Sequence, residues 1–89
     1  MRYEIRLDEV DTKQKFHEAV RKSLPTGDCY GNTLDALYDV LSEKRSDMTL
    51  ILTGCRLFKE TSPAYFRMLE RVLEDSGVIY EIIMEGNDE

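Results

Sequence analysis

Three acidic side chains, Asp35, Asp39 and Glu43, recur at every fourth position within one short stretch of this 89-residue chain. At 100° per residue they lie along one side of a helix, and the opposite side consists of Leu34, Leu37 and Leu41. Like charges at this spacing repel by about 0.2–0.5 kcal/mol per pair, so the row does not stabilise its own helix. Such a row indicates either an ordinary solvated face or a surface that occupies a cationic site on a partner.

Two neighbouring features favour the binding interpretation. Tyr38 lies at the border between the acidic and the leucine sides, and tyrosine is enriched at interface hot spots. Gly31, just before the helix, permits close approach of another backbone or a turn with positive φ. Between Lys22 and Lys44 the chain has no basic residue. Charge and periodicity alone therefore leave both interpretations open, an ordinary solvated face and an acidic protein-binding face.

Other residues offer weaker chemistry. Cys29 and His17 could form a nucleophile and its base, but Asp28 beside Cys29 disfavours the thiolate. The second cysteine, Cys55, is predicted to fill the core, and both cysteines are expected to be reduced thiols. Two cysteines and one histidine without the usual zinc-site spacing do not predict a metal site. We therefore expect no enzymatic activity, no metal and no cofactor.

The composition limits the class of partner. The net charge is −6, and nucleic-acid binding depends on lysine and arginine at phosphates, so no nucleic-acid partner is expected. A basic protein suits an acidic chain better, because opposite potentials steer association. The apolar runs are shorter than a membrane span, and the N-terminus does not resemble a signal peptide. These features predict a cytoplasmic protein without a membrane partner.

The elements that position these residues follow from periodicity. Strands are predicted at 2–8, 48–53 and 78–85. Helices are predicted at 12–24, with Asp11 or Thr12 as cap, at 33–42, and at 63–76 after Ser62. The segment 54–61 is ambiguous. The order β-α-α-β-α-β favours a two-layer α/β domain with a three-stranded parallel sheet, formed by residues 1–89 with 86–89 as a frayed acidic tail.

The stretch 30–41, Tyr-Gly-Asn-Thr-Leu-Asp-Ala-Leu-Tyr-Asp-Val-Leu, resembles the barstar-family motif Tyr-Gly-x-Asn-Leu-Asp-Ala-Leu-Trp-Asp-x-Leu. The resemblance implies the same three-stranded parallel fold. It also implies an inhibitor whose acidic loop and helix enter the active site of a basic ribonuclease, where carboxylates replace RNA phosphates. Asp39 would be the main phosphate mimic and Asp35 its companion, with Tyr38, Gly31 and Tyr30 in the contact surface or supporting it. Asp28, Cys29, Ser42 and Glu43 complete the predicted partner-binding set.

Several positions depart from the family pattern. Cys29 stands where barstar has a stacking tyrosine, Lys44 stands where it has an interfacial tryptophan, and Thr33 and Tyr38 replace Asn and Trp of the motif. The expected partner is therefore a basic bacterial ribonuclease or a related nuclease toxin, bound one to one by a monomer, with barnase itself bound weakly. The alternative is an interaction or regulatory module that has the barstar fold and a non-nuclease partner.

Overall fold

The computed structural model describes residues 1–27 and 30–85. Its strands are β1 (Arg2–Arg6), β2 (Thr49–Thr53) and β3 (Ile79–Ile82). Within the described residues, the helices are α1 (Lys13–Ser23), α2 (Leu34–Lys44), α3 (Arg56–Thr61) and α4 (Pro63–Ser76), with a 3-10 turn at Arg45–Asp47. Asp28, Cys29 and the predicted acidic tail 86–89 lie outside the described residues.

The three strands form one parallel sheet in the order β1-β2-β3. Residues 50–53 of the central strand are buried, whereas alternate residues of both edge strands are exposed. This pattern indicates a sheet with one apolar face, which the helices cover. The other face is exposed to solvent at the two edge strands. The predicted two-layer α/β architecture with a three-stranded parallel sheet is confirmed.

Three phenylalanines connect the helices within the core. Phe16 of α1 stacks on Phe58 of α3 with ring centroids 5.3 Å apart, and Phe58 meets Phe66 of α4 edge-on at 6.0 Å. Each of the three is at most 1% exposed. Burial of one such side chain contributes about 1.5–3 kcal/mol to the free energy of folding. The cluster therefore fixes how α1, α3 and α4 lie relative to one another.

Helix α3 was not predicted, because the segment 54–61 was ambiguous. The helix has six residues, fewer than two turns, so its apolar periodicity is too short to recognise. Its N-cap residue, Cys55, makes no side-chain capping bond. The preceding Gly54 has φ +65°, and a Cβ built there would lie 1.6 Å from an oxygen of Asp8. Only glycine fits this turn between β2 and α3.

The observed ends of α1 and α4 agree with the predicted ends, although one predicted capping bond is not formed. Thr12 caps α1, and its side chain accepts a hydrogen bond from the backbone N–H of Lys15 at 3.2 Å. Ser62 occupies the predicted N-cap of α4 with Pro63 at the first helical position, but its side chain makes no capping bond. Helix α4 ends at Gly77 in the left-handed conformation, φ +81°. The edge strands are shorter than the predicted 2–8 and 78–85.

Candidate protein-binding site

The acidic row lies on helix α2, whose start is fixed by a side-chain cap. The hydroxyl of Thr33 accepts a hydrogen bond from the backbone N–H of Ala36 at 3.1 Å. The three leucines face inward as predicted, with exposures of 8% for Leu34, 1% for Leu37 and 0% for Leu41. The helix extends to Lys44, two residues beyond the predicted end. The leucine side therefore anchors α2 and orients its opposite side outward.

The carboxylates of Asp35, Asp39 and Glu43 are exposed on that outward side. Within residues 1–27 and 30–85 the ion pairs join Lys15 to Asp11 and Arg56 to Glu85, and neither includes the acidic row. Side chains four residues apart on a helix have their Cβ atoms about 6 Å apart. One cationic cleft on a partner can therefore contact two neighbouring carboxylates at once. The row is thus a set of exposed negative charges without intramolecular counterions in the described part of the chain.

Tyr38 and Ser42 border this row on the same helix. Tyr38 is 39% exposed, so its ring presents both an apolar face and a hydroxyl to solvent. Ser42 is half-buried, and its hydroxyl has no hydrogen-bond partner among the described residues. Tyr38 therefore adds an aromatic ring and a hydroxyl at the border of the acidic row, whereas the hydroxyl oxygen of Ser42 is buried and is not exposed at this surface.

The turn before α2 uses Asn32 rather than Gly31 for its left-handed residue. Asn32 has φ 56°, whereas Gly31 is exposed and has no positive φ. Asparagine tolerates this conformation better than other side chains because its short amide can bond locally. The sequence analysis allowed Gly31 either a turn role or a close-approach role. The structure assigns the positive φ to Asn32, and at Gly31 the nearest atom to a built Cβ is the Cβ of Ala36 at 3.9 Å.

Tyr30 is buried, with 9% of its surface exposed. Its hydroxyl lies 2.7 Å from Nδ1 of His17. Of the two roles predicted for Tyr30, the structure therefore favours support of the turn over direct presentation to a partner. The hydrogen bond ties the chain just before the acidic helix to α1.

His17 is the residue whose role the sequence did not show. It is 2% exposed, and its second ring nitrogen, Nε2, lies 2.7 Å from the hydroxyl of Tyr65 on α4. In the neutral ring one nitrogen donates and the other accepts, so one tyrosine accepts a hydrogen bond and the other donates one. We call Tyr30, His17 and Tyr65 the Tyr-His-Tyr bridge. It connects the turn before α2 to two helices.

The charge state of this bridge follows from its surroundings. Burial lowers the pKa of His17 below its ordinary value of 6.5, and the positive charges of Lys13 and Arg21 lower it further. Burial raises the pKa of Tyr30, and a smaller contribution from Tyr65 acts in the same direction. Burial also raises the pKa of Tyr65. All three groups are therefore neutral at pH 7, and His17 is a structural residue with both nitrogens satisfied.

The position of His17 beside Phe16 and three residues before Val20, on the apolar side of α1, is the signal that could have revealed its burial. No sequence signal indicated its partners, which lie 13 and 48 positions away. The sequence analysis paired His17 with Cys29, which lies outside the described residues together with Asp28. Cys55 is fully buried, as predicted, and burial raises the pKa of its thiol to about 11.

Two further classes of site were searched for in the described part of the chain. No group of three or more His, Cys, Asp or Glu side chains there is placed to hold a metal ion. None of the helices in residues 1–27 and 30–85 is long and apolar enough to cross a membrane.

The fold and the site together define a small two-layer α/β protein with an exposed acidic helix. The family model described as Barstar (barnase inhibitor) matches residues 1–82. The chain belongs to the Barstar family and is a barnase-inhibitor-like protein. The comparison with curated proteins gave no match.

Proposed function

We propose that this protein binds a basic bacterial ribonuclease or a related nuclease toxin one to one and blocks its active site. In this proposal the acidic row of α2 takes the place of RNA phosphates against the arginine, lysine and histidine side chains of the enzyme. The observation that supports it best is the exposure of Asp35, Asp39 and Glu43 without intramolecular ion pairs among the described residues. An anionic surface with no internal counterions is free to meet a cationic cleft.

The resemblance to the barstar motif supports a role for each residue in this proposal. Asp39 is the main phosphate mimic, and Asp35 and Glu43 lie on either side of it along α2. Tyr38 adds an exposed aromatic ring beside Asp39. The Tyr-His-Tyr bridge then holds the turn from which α2 begins. The loop residues Asp28 and Cys29 are proposed to contact the partner on the sequence resemblance alone.

The test is a titration of ribonuclease activity. Purified small basic ribonucleases, with barnase among them, are each assayed at fixed concentration against increasing amounts of this protein. The proposal predicts a linear loss of activity that ends at one equivalent for at least one enzyme, and protection of that enzyme by a competing nucleotide. If no basic ribonuclease loses activity at a tenfold excess, the inhibitor proposal fails and a non-nuclease partner becomes the better account.

Barnase itself is expected to be inhibited less strongly than the native partner. Lys44, the exposed last residue of α2, stands where barstar has an interfacial tryptophan, so it would bring a positive charge toward a basic enzyme. Cys29 is too small to fill the pocket that an aromatic side chain would fill. The double variant Cys29→Tyr with Lys44→Trp should therefore bind barnase more tightly than the wild type does. Equal binding of barnase by the two proteins would contradict this account of specificity.

A further inference from the structure

A groove of about 470 Å³ opens beside the acidic row, between α1, the turn before α2 and the start of α4. Its apolar lining includes Leu34, Tyr65 and Met68, and its charged lining consists of Lys13, Glu18 and Arg21 of α1 and Asp35 of α2. Binding clefts for side chains and small ligands are of this size and combine an apolar surface with a few polar groups. The groove is therefore large enough to accept a side chain of a docked protein.

The groove and the acidic row are one continuous surface. Asp35 belongs to both, because it lies in the acidic row and also lines the groove. Asn32 and Thr33, in the turn that begins α2, line the groove as well. A partner that covers Asp35 and Asp39 therefore reaches the groove without leaving the surface it already contacts.

The apolar part of the groove is exposed yet held in place. Met68 is 54% exposed, although most large apolar side chains in the described residues are buried. The ring of Tyr65 is fixed by the hydrogen bond between its hydroxyl and Nε2 of His17, and Nζ of Lys13 lies 5.9 Å from the ring centroid. A rigid aromatic wall loses little conformational entropy on binding, which favours its use as a hot spot. Flexible Met68 can adapt to the shape of what enters.

The charges at the groove differ in sign from those of the acidic row. Lys13 and Arg21 lie on the α1 side together with Glu18, so two positive charges there exceed one negative charge, while Asp35 lies on the α2 side. The complementary partner surface is therefore basic where it meets α2 and acidic where it meets α1. A uniformly basic partner surface is therefore not the best fit for the acidic row and the groove together.

We propose that the groove is a second contact site for the same ribonuclease, which inserts one aromatic or branched apolar side chain with an acidic neighbour. The inserted side chain packs on Tyr65 and Met68, and the acidic neighbour faces Lys13 and Arg21. This rests on the proposed function. In this proposal the acidic row makes a contact that the cationic active-site cleft of any such nuclease can accept. The groove then distinguishes between nucleases, because the residues at the edge of the active-site cleft differ from one enzyme to another.

The experiment measures Kd by calorimetry with the ribonuclease that the protein inhibits most strongly in the titration above. Met68→Ala removes the exposed groove side chain. Its matched control is Ile79→Ala, which truncates an apolar side chain that is 66% exposed on edge strand β3, outside the groove. Loss of a hot-spot side chain weakens binding by about fivefold or more, and loss of a side chain outside the interface leaves Kd within about twofold.

A second pair tests the charge. Lys13→Glu and Lys59→Glu change the net charge equally, so long-range attraction to the enzyme is the same for both. Lys59 is exposed on α3 and does not line the groove. We expect Lys13→Glu to raise Kd at least about fivefold relative to Lys59→Glu. Equal Kd values for the two variants, or tighter binding by Lys13→Glu, would contradict the proposal that an acidic residue of the ribonuclease faces Lys13.

Asp39→Asn, measured in the same series, separates the two proposals. If Asp39→Asn weakens binding while Met68→Ala matches Ile79→Ala, the groove proposal is overturned and the inhibitor proposal stands. If Met68→Ala weakens binding while Asp39→Asn does not, the groove is an interface and the phosphate-mimic proposal is overturned. If no ribonuclease is inhibited at all, both proposals fail together. Circular dichroism of each variant verifies that the fold is intact.

Discussion

His17 joins three segments of the chain through one imidazole ring, and its ionisation should make stability depend on pH. Its pKa is lowered in the folded protein, so below the ordinary value of 6.5 the unfolded chain binds more protons than the folded one. The free energy of unfolding should therefore be at its full value above about pH 6.5 and decrease as the pH falls below it. The measurement is urea unfolding between pH 7.5 and pH 5, where few carboxylates titrate.

The matched control is His17→Gln, which has no titrating group at this position. It should lose about 1–3 kcal/mol at pH 7.5 because at least one tyrosine hydroxyl is left without its partner. It should also lack the pH-dependent decrease between pH 7 and pH 5. If the free energy of unfolding of wild type and variant depends on pH in the same way in that interval, some other group is responsible, and the conclusion that His17 is neutral within the bridge is wrong.

Asn32 provides a second residue-scale prediction. At φ 56° an L-residue other than asparagine or aspartate is strained by about 1–2 kcal/mol, whereas glycine is not. Asn32→Ala should therefore lower the free energy of unfolding by about 1 kcal/mol, and Asn32→Gly should change it by a few tenths. Chemical denaturation of the two variants measures the difference directly. Equal stabilities would mean that the turn before α2 is not held in the left-handed conformation.

At the scale of elements, burial of the leucine side stabilises helix α2, whereas repulsion between the exposed carboxylates on the other side destabilises it. Asp39 has a like charge four residues away in each direction, and each pair costs about 0.2–0.5 kcal/mol. Asp39→Asn should therefore leave the free energy of unfolding unchanged or raise it by up to about 1 kcal/mol. Thermal and urea unfolding provide the measurement. A decrease of more than about 1 kcal/mol would show that Asp39 stabilises the fold, which is inconsistent with an exposed binding residue.

The same helix explains what the sequence could predict. A capping residue at Asn32 or Thr33, three leucines at helical spacing and acidic residues on the other side are local signals that agree, so α2 and its orientation were predicted correctly. The structure shows that Thr33 is the cap. Helix α3 lacks such signals, because Cys55 makes no capping bond and the helix has six residues. The Tyr-His-Tyr bridge depends on residues that are distant in the chain, and periodicity contains no information about such contacts. The sequence therefore left Tyr30 either in the predicted contact surface or supporting it, and the structure shows that Tyr30 is buried with its hydroxyl at His17.

At the scale of the whole molecule, the net charge of −6 should govern how fast the partner is found. Opposite net charges raise the association rate, and salt screens them with a Debye length of about 10 Å at 0.1 M. The association rate constant with the inhibited ribonuclease should fall as salt rises from 0.02 M to 0.5 M, while the dissociation rate changes much less. Stopped-flow fluorescence measures both rates. An association rate that does not respond to salt would contradict electrostatic steering by the acidic row.

The most direct test compares Asp39→Asn with Glu60→Gln in binding to the inhibited ribonuclease by calorimetry. Each substitution removes one carboxylate charge, and Glu60 is exposed on α3, outside α2 and its turn. A phosphate mimic in a desolvated charge pair predicts a loss of about 2–5 kcal/mol for Asp39→Asn, which is the general range for truncating one partner of a buried charge pair. Barnase with barstar is itself the best-known example of such charge pairs, so this magnitude is borrowed from the family. Glu60→Gln should change the binding free energy by less than about 0.5 kcal/mol. If the two variants bind equally well, the acidic helix is only a solvated face, and the central claim is wrong.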